Sequence, residues 1–214
     1  MDFGLLIFYK HISLNKILPL FSYLFHPIFT AVFGTIFYLF FAPNYFELNQ
    51  KYLILLQVTI ISIFIPISFY YLLKTLGKVD SMMVSELSQR KIPLIIQAVL
   101  IITLIQKSIT LDRIPELFFF FLGGLVSTLA TLLLLFGKIK ASIHMIGISS
   151  LTAFVVGLSL HNQINFMYYI AFLILMNGVV ASSRLEMKAH TNMELAIGFL
   201  VGLIPQLALY FFWL

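Results

Sequence analysis

Ser183-Arg184, His190 and Glu194 form a short polar string between apolar stretches long enough to cross a bilayer. Ionisable side chains at membrane depth are costly, so such a string marks a candidate functional site. The residue types suit chemistry on an anion. Glu194 follows His190 by one helical turn and shares its face, which places a carboxylate to orient an imidazole. The planar fork of Arg184 matches paired phosphate or carboxylate oxygens. Thr191 with Glu194 is also a capping box that would open a helix, so Glu194 can serve backbone donors, the imidazole, or both.

Positioning these groups falls to membrane helices. Hydrophobic residues make up 61% of the 214-residue chain, charged residues make up 10%, and the mean hydropathy is +1.06. Lipid is the natural solvent for that composition. The chain reads as an all-α polytopic membrane bundle of about six to seven transmembrane helices, each needing ~20 apolar residues. Residues 1–214 form a single integral membrane domain, since no Gly/Ser or Pro run and no polar block interrupts them. The absence of Cys excludes disulfides and thiolate metal sites. Residues 1–16, with Asp2, Lys10, His11 and Lys16 and no small-residue cleavage site, read as a retained interfacial helix.

Charge-free intervals place the spans at 17–41, 52–74, 93–110, 117–137, two within 141–183 hinged at His161 to Asn165, and 193–214. Pro93 is expected as the first residue of the third span, with Lys107 snorkelling near its end. With all seven spans real, the N-terminus, the 78–91 segment and the turns at 138–144 and 183–192 emerge on one face. That face gathers ten of the 13 Lys and Arg residues, leaving Lys51, Lys107 and Arg113 opposite. The positive-inside rule then places this face in the cytoplasm and the C-terminus outside. Setting aside the cations that a site would collect on either side narrows the margin.

The string Ser183-Arg184-x5-His190-x3-Glu194 resembles the third signature, S-R-x5-H-x3-D, of the type 2 phosphatidic acid phosphatase superfamily, the lipid phosphate phosphatases. Ala141-Ser142-Ile143-His144 resembles its second signature, P-S-G-H, and Arg90-Lys91-Ile92-Pro93 resembles the R-P end of the first, K-x6-R-P. The resemblance covers roughly residues 70–205. The chain departs from the pattern at Met83, where the first signature has Lys, at Ala141 and Ile143 in the second, and at Glu194 in the third. Pro93 also lies three residues after Arg90 instead of one.

The resemblance implies an integral membrane phosphatase that removes phosphate from a lipid phosphate or pyrophosphate through a phosphohistidine intermediate. It implies that His190 is the nucleophile, that Glu194 orients it, and that His144 protonates the leaving oxygen and later activates water. Arg184 and Arg90 would grip phosphate oxygens with help from Ser142, and Lys140 is the favoured substitute for the missing lysine. No metal and no cofactor enter the scheme. The alternative is a non-catalytic lipid-phosphate binding or transport protein with the same bundle, which the departures at Met83 and Ile143 favour.

Each residue also has a plainer reading. Lys138, Lys140 and Lys188 read as headgroup anchors as well as site cations. His26 before Pro27 reads as the brace of a kink in span one. Gly198-x-x-x-Gly202 reads as a close helix contact within the chain, with a homodimer as the alternative. The pI near 9.4 follows from membrane-flanking lysines, so no nucleic-acid partner is expected. The expected partners are membrane lipids and a lipid phosphate or polyprenyl phosphate substrate, in a bacterial inner membrane.

Overall fold

A computed structural model describes residues 17–79 and 86–214. The interfacial segment 1–16 and the Met83 position lie outside the described residues. The chain is an all-α integral membrane protein in which seven helices are long and apolar enough to span a bilayer: Ile17–Phe41, Leu48–Thr75, Leu87–Lys107, Pro115–Phe136, Ile143–His161, Met167–Glu186 and Asn192–Trp213. Two spans are broken and five continuous. Span one consists of α1 (17–24), a 3-10 turn Pro27–Phe29 and α2 (Thr30–Phe41). Span two consists of α3 (Leu48–Thr59), a π-turn Ile60–Phe64 and α4 (Ile65–Thr75). The continuous spans are α5 (Leu87–Lys107), α6 (Pro115–Phe136), α7 (Ile143–His161), α8 (Met167–Glu186) and α9 (Asn192–Trp213).

Both breaks have a proline beside them. Pro27 has no N–H to give to Tyr23, and the His26 N–H bonds the Tyr23 carbonyl at 3.3 Å instead of reaching back to Ser22. His26 then caps the short turn, its Nδ1 accepting from the Ile28 N–H at 3.3 Å. The expected kink braced by His26 is therefore present. In span two the π-turn immediately precedes Pro66, where the missing N–H already interrupts the ladder.

Pro93 is not the start of span three. The α5 helix begins at Leu87, after Glu86 in an extended conformation, and carries Pro93 inside it. Membrane helices tolerate an internal proline where neighbouring groups take up the freed backbone. The additional turn matters, because it places Arg90 on the helix and buried, with Nη1 donating to the Ala141 carbonyl at 2.8 Å.

The core lies where α7 packs against α9. A Cβ at Gly198 would strike the Ser142 backbone, and one at Gly202 would strike the Ile146 backbone and Ser149. The two glycines thus hold α7 and α9 in backbone contact within one chain, as expected of the G-x-x-x-G. Polar side chains stitch the remaining spans, including Gln206 Nε2 donating to the Phe120 carbonyl at 2.9 Å and Asn177 Nδ2 donating to Thr152 Oγ1 at 2.8 Å. The α7 helix is the most enclosed of the seven, so the residues at its start are held from all sides.

Candidate functional site

Arg90 opens α5, His144 opens α7, Arg184 closes α8, and His190 lies in the turn between α8 and α9. The alternation of seven spans brings these four ends to one face of the bundle. All four side chains line one cavity of about 290 Å³. Their exposures are 3%, 4%, 3% and 8%, so what they meet is the cavity and each other instead of bulk water. Among the described residues, no Asp or Glu lines this cavity. Its mouth is cationic and its remaining wall is largely apolar.

The turn Met187 to Thr191 holds His190 by several independent bonds. His190 Nδ1 lies 2.8 Å from Glu194 Oε2. The same oxygen accepts from the Thr191 N–H at 3.3 Å, while Thr191 Oγ1 accepts from the Glu194 N–H at 3.3 Å. The capping box and the imidazole contact are therefore made together by one carboxylate. A carboxylate only accepts, so Nδ1 of a neutral His190 carries the proton and Nε2 keeps its lone pair. Burial pulls the His190 imidazole down from its ordinary value to about 4; the Glu194 hydrogen bond opposes this, and nearby Arg184, Arg90 and Lys140 add to it. His190 is thus a neutral base at ordinary pH, with Nε2 free of the Glu194 contact.

His144 is held differently. Its Nε2 lies 3.1 Å from the Ser22 carbonyl, the oxygen released when His26 bonds Tyr23 instead. A carbonyl only accepts, so Nε2 carries hydrogen and Nδ1 is the nitrogen left for proton transfer. The Ser22 hydroxyl also bonds Ser183 Oγ at 2.6 Å, which ties span one to the signature string. The His26 ring meets the His144 ring edge-on at a centroid distance of 5.2 Å and lines the same cavity. Span one is therefore part of the site, although the resemblance covers only residues 70–205. The signal available in the sequence was His26 itself, an ionisable group in an otherwise charge-free span; its reading as a kink brace was correct and incomplete.

The other expected site residues stand behind the wall. Lys140 Nζ donates to the Ala189 carbonyl at 2.9 Å and lies 4.0 Å from Glu194 Oε2, so it braces the His190 turn. Ser142 immediately precedes α7, donates its backbone N–H to the Glu194 carbonyl at 3.1 Å, and buries an Oγ that has no hydrogen-bond partner among the described residues. Lys91 sits over the Phe136 ring at 5.2 Å, away from the cavity, as a headgroup anchor would. Among the described residues, no cluster of His, Asp and Glu is arranged to hold a metal ion. Comparison with protein-family models, with curated proteins and with solved structures returns no match, so the likeness to the lipid phosphate phosphatases rests on the residues described above.

Proposed function

We propose that this protein is an integral membrane phosphatase acting on a lipid phosphate or pyrophosphate. The observation that carries the reading is the single cavity in which Arg90, Arg184, His144 and His190 meet a long apolar wall. An amphiphile with an anionic head fits both halves, and the enzyme reading fits the nitrogen that His190 leaves free. In the proposed reaction His190 Nε2 attacks phosphorus and the bond to the lipid oxygen breaks. His144, in its imidazolium form, gives the Nδ1 proton to that oxygen. Arg90 and Arg184 neutralise charge on the remaining phosphate oxygens. In the second half, His144 takes a proton from water, the hydroxide attacks phosphorus, the P–N bond breaks, and inorganic phosphate leaves with His190 restored. Glu194 keeps the Nδ1 proton in place and balances the positive charge that develops on the ring.

The second reading is a lipid-phosphate binding or transport protein. The bond from His144 Nε2 to Ser22 supports it to the extent that one acid nitrogen is already committed. Phosphate release from a lipid phosphate panel by the purified protein separates the two. Release that disappears in His190→Ala supports the enzyme; binding without release supports the transporter. A bacterial inner membrane with the site facing the cytoplasm is the proposed location, and a reporter fused after Leu214 that is active only outside the cytoplasm is the expected result.

A further inference from the structure

The cavity continues far below the mouth. It follows α5 from Arg90 to Leu104, which is about 21 Å at the ~1.5 Å rise of a helix, and is lined beside Leu104 by Phe120 and Phe121 of α6. Its volume of about 290 Å³ is at the lower edge of ordinary ligand pockets, which begin near ~300 Å³. An apolar cavity of ~150 Å³ holds one benzene ring, so this one holds roughly a dozen carbons. The length gives a similar answer, since an extended chain advances ~1.2 Å per bond and the channel takes about 17 bonds. The hydroxyls of Ser62, Thr128 and Ser150, which also line it, are turned to backbone carbonyls of Val58, Gly124 and Gly202, which leaves Thr30, Tyr70 and Gln97 as the other polar uncharged side chains on a mostly apolar wall.

Building on the phosphatase reading, we infer that this cavity is a channel for one hydrocarbon chain, so the substrates are single-chain lipid phosphates, prenyl or long-alkyl, in preference to diacyl ones. One chain of about 12 to 17 carbons fills both the volume and the length. Two acyl chains need twice the section and would have to leave the second chain outside the wall.

Gly124 supplies the test. It lines the cavity, and a Cβ built on it meets nothing within 4 Å, so a larger side chain enters the channel without striking the fold. Gly178 on α8 is an equally open glycine that does not line the cavity and serves as the control. Binding is measured on the full chain in nanodiscs by competition of dodecyl phosphate, farnesyl phosphate and dipalmitoyl phosphatidic acid against radiolabelled farnesyl phosphate. The parent is expected to bind the two single-chain compounds roughly tenfold more tightly than the diacyl one. Gly124→Leu is expected to weaken single-chain binding by roughly tenfold or more, as burying fewer methylenes requires, with Gly124→Ala between it and the parent and Gly178→Leu unchanged. If Gly124→Leu does not fold, Gly124→Ala is read alone. Equal loss in Gly124→Leu and Gly178→Leu, no loss in either Gly124 variant, or diacyl lipid competing as well as single-chain lipid each overturns the channel. Phosphate release is read in parallel: no release with the binding pattern intact removes the phosphatase and leaves the channel, whereas release with a diacyl preference does the reverse.

Discussion

The two ends of the bundle are built from similar residues and differ in what they do with them. At the far end, Glu116 Oε1 lies 3.6 Å from His161 Nε2, Glu116 Oε2 accepts from the Tyr38 hydroxyl at 3.1 Å, and the His161 ring rests on Trp213. Tyr45 donates to the Arg113 carbonyl at 2.8 Å. Polar groups there close on one another, as structural polar contacts in a membrane protein do. At the near end, arginines and histidines surround a cavity that no described acidic residue lines, and Glu194 faces His190 from behind. A histidine beside a glutamate occurs at both ends. What separates them is the void in front of His190 and the sign of the charge around it.

The largest expected effect contrasts the two histidines directly. His190→Ala should lower phosphate release by about 10³-fold or more while the protein stays monodisperse in detergent. His161→Ala should leave release within about twofold and lower the melting temperature. Equivalent losses of activity would erase the distinction between the ends. Arg184→Gln comes next, with an expected loss of about 10² in kcat/KM from one missing charge-assisted grip on phosphate.

Glu194→Gln sharpens the comparison, because a Gln preserves the capping box while removing the carboxylate. Steady-state assays should show kcat reduced by about 10-fold to 10²-fold with little change in melting temperature. A silent substitution would leave Glu194 as a helix cap alone.

The pH profile follows from the depressed His190. With its folded value near 4 against an ordinary 6.5, the neutral nucleophile persists as pH falls, and the His190 limb of kcat/KM should descend only near pH 4. The unfolded chain binds the extra proton between about 6.5 and 4, so the stabilising contribution of neutral His190 is full above that window and is lost as pH falls through it. An activity limb at 6.5 that shifts in Glu194→Gln would contradict the buried, neutral assignment. The smallest effect belongs to the lysines. Lys140→Ala should raise KM by about threefold by loosening the Ala189 turn, and exposed Lys188→Ala should do nothing measurable.

Charge-free intervals located all seven spans because a bilayer penalises fixed charge over a fixed thickness. The start of α5 escaped this logic: the preference of proline for a first turn is a local rule, and neighbouring helices overrode it at Pro93. The Ser183 to Glu194 string was legible because its members are close in sequence, on the end of α8, the turn after it and the start of α9. The part played by span one was not, because the contact between Ser22 and His144 joins residues 122 positions apart through a carbonyl, which no side-chain pattern records. The channel was hidden for another reason. Leu104, Phe120 and Phe121 line it with the same residue types that face lipid elsewhere, so composition cannot distinguish an inner apolar wall from an outer one.

Gly198 and Gly202 make the packing on one side of the molecule unlike that on the other. Because α9 lies backbone to backbone on α7, His144 at the start of α7 and the His190 turn at the start of α9 are held side by side through those contacts. Span two lines the same cavity through Ile61, Ser62 and Pro66 and carries a π-turn and a proline there in place of glycine contacts.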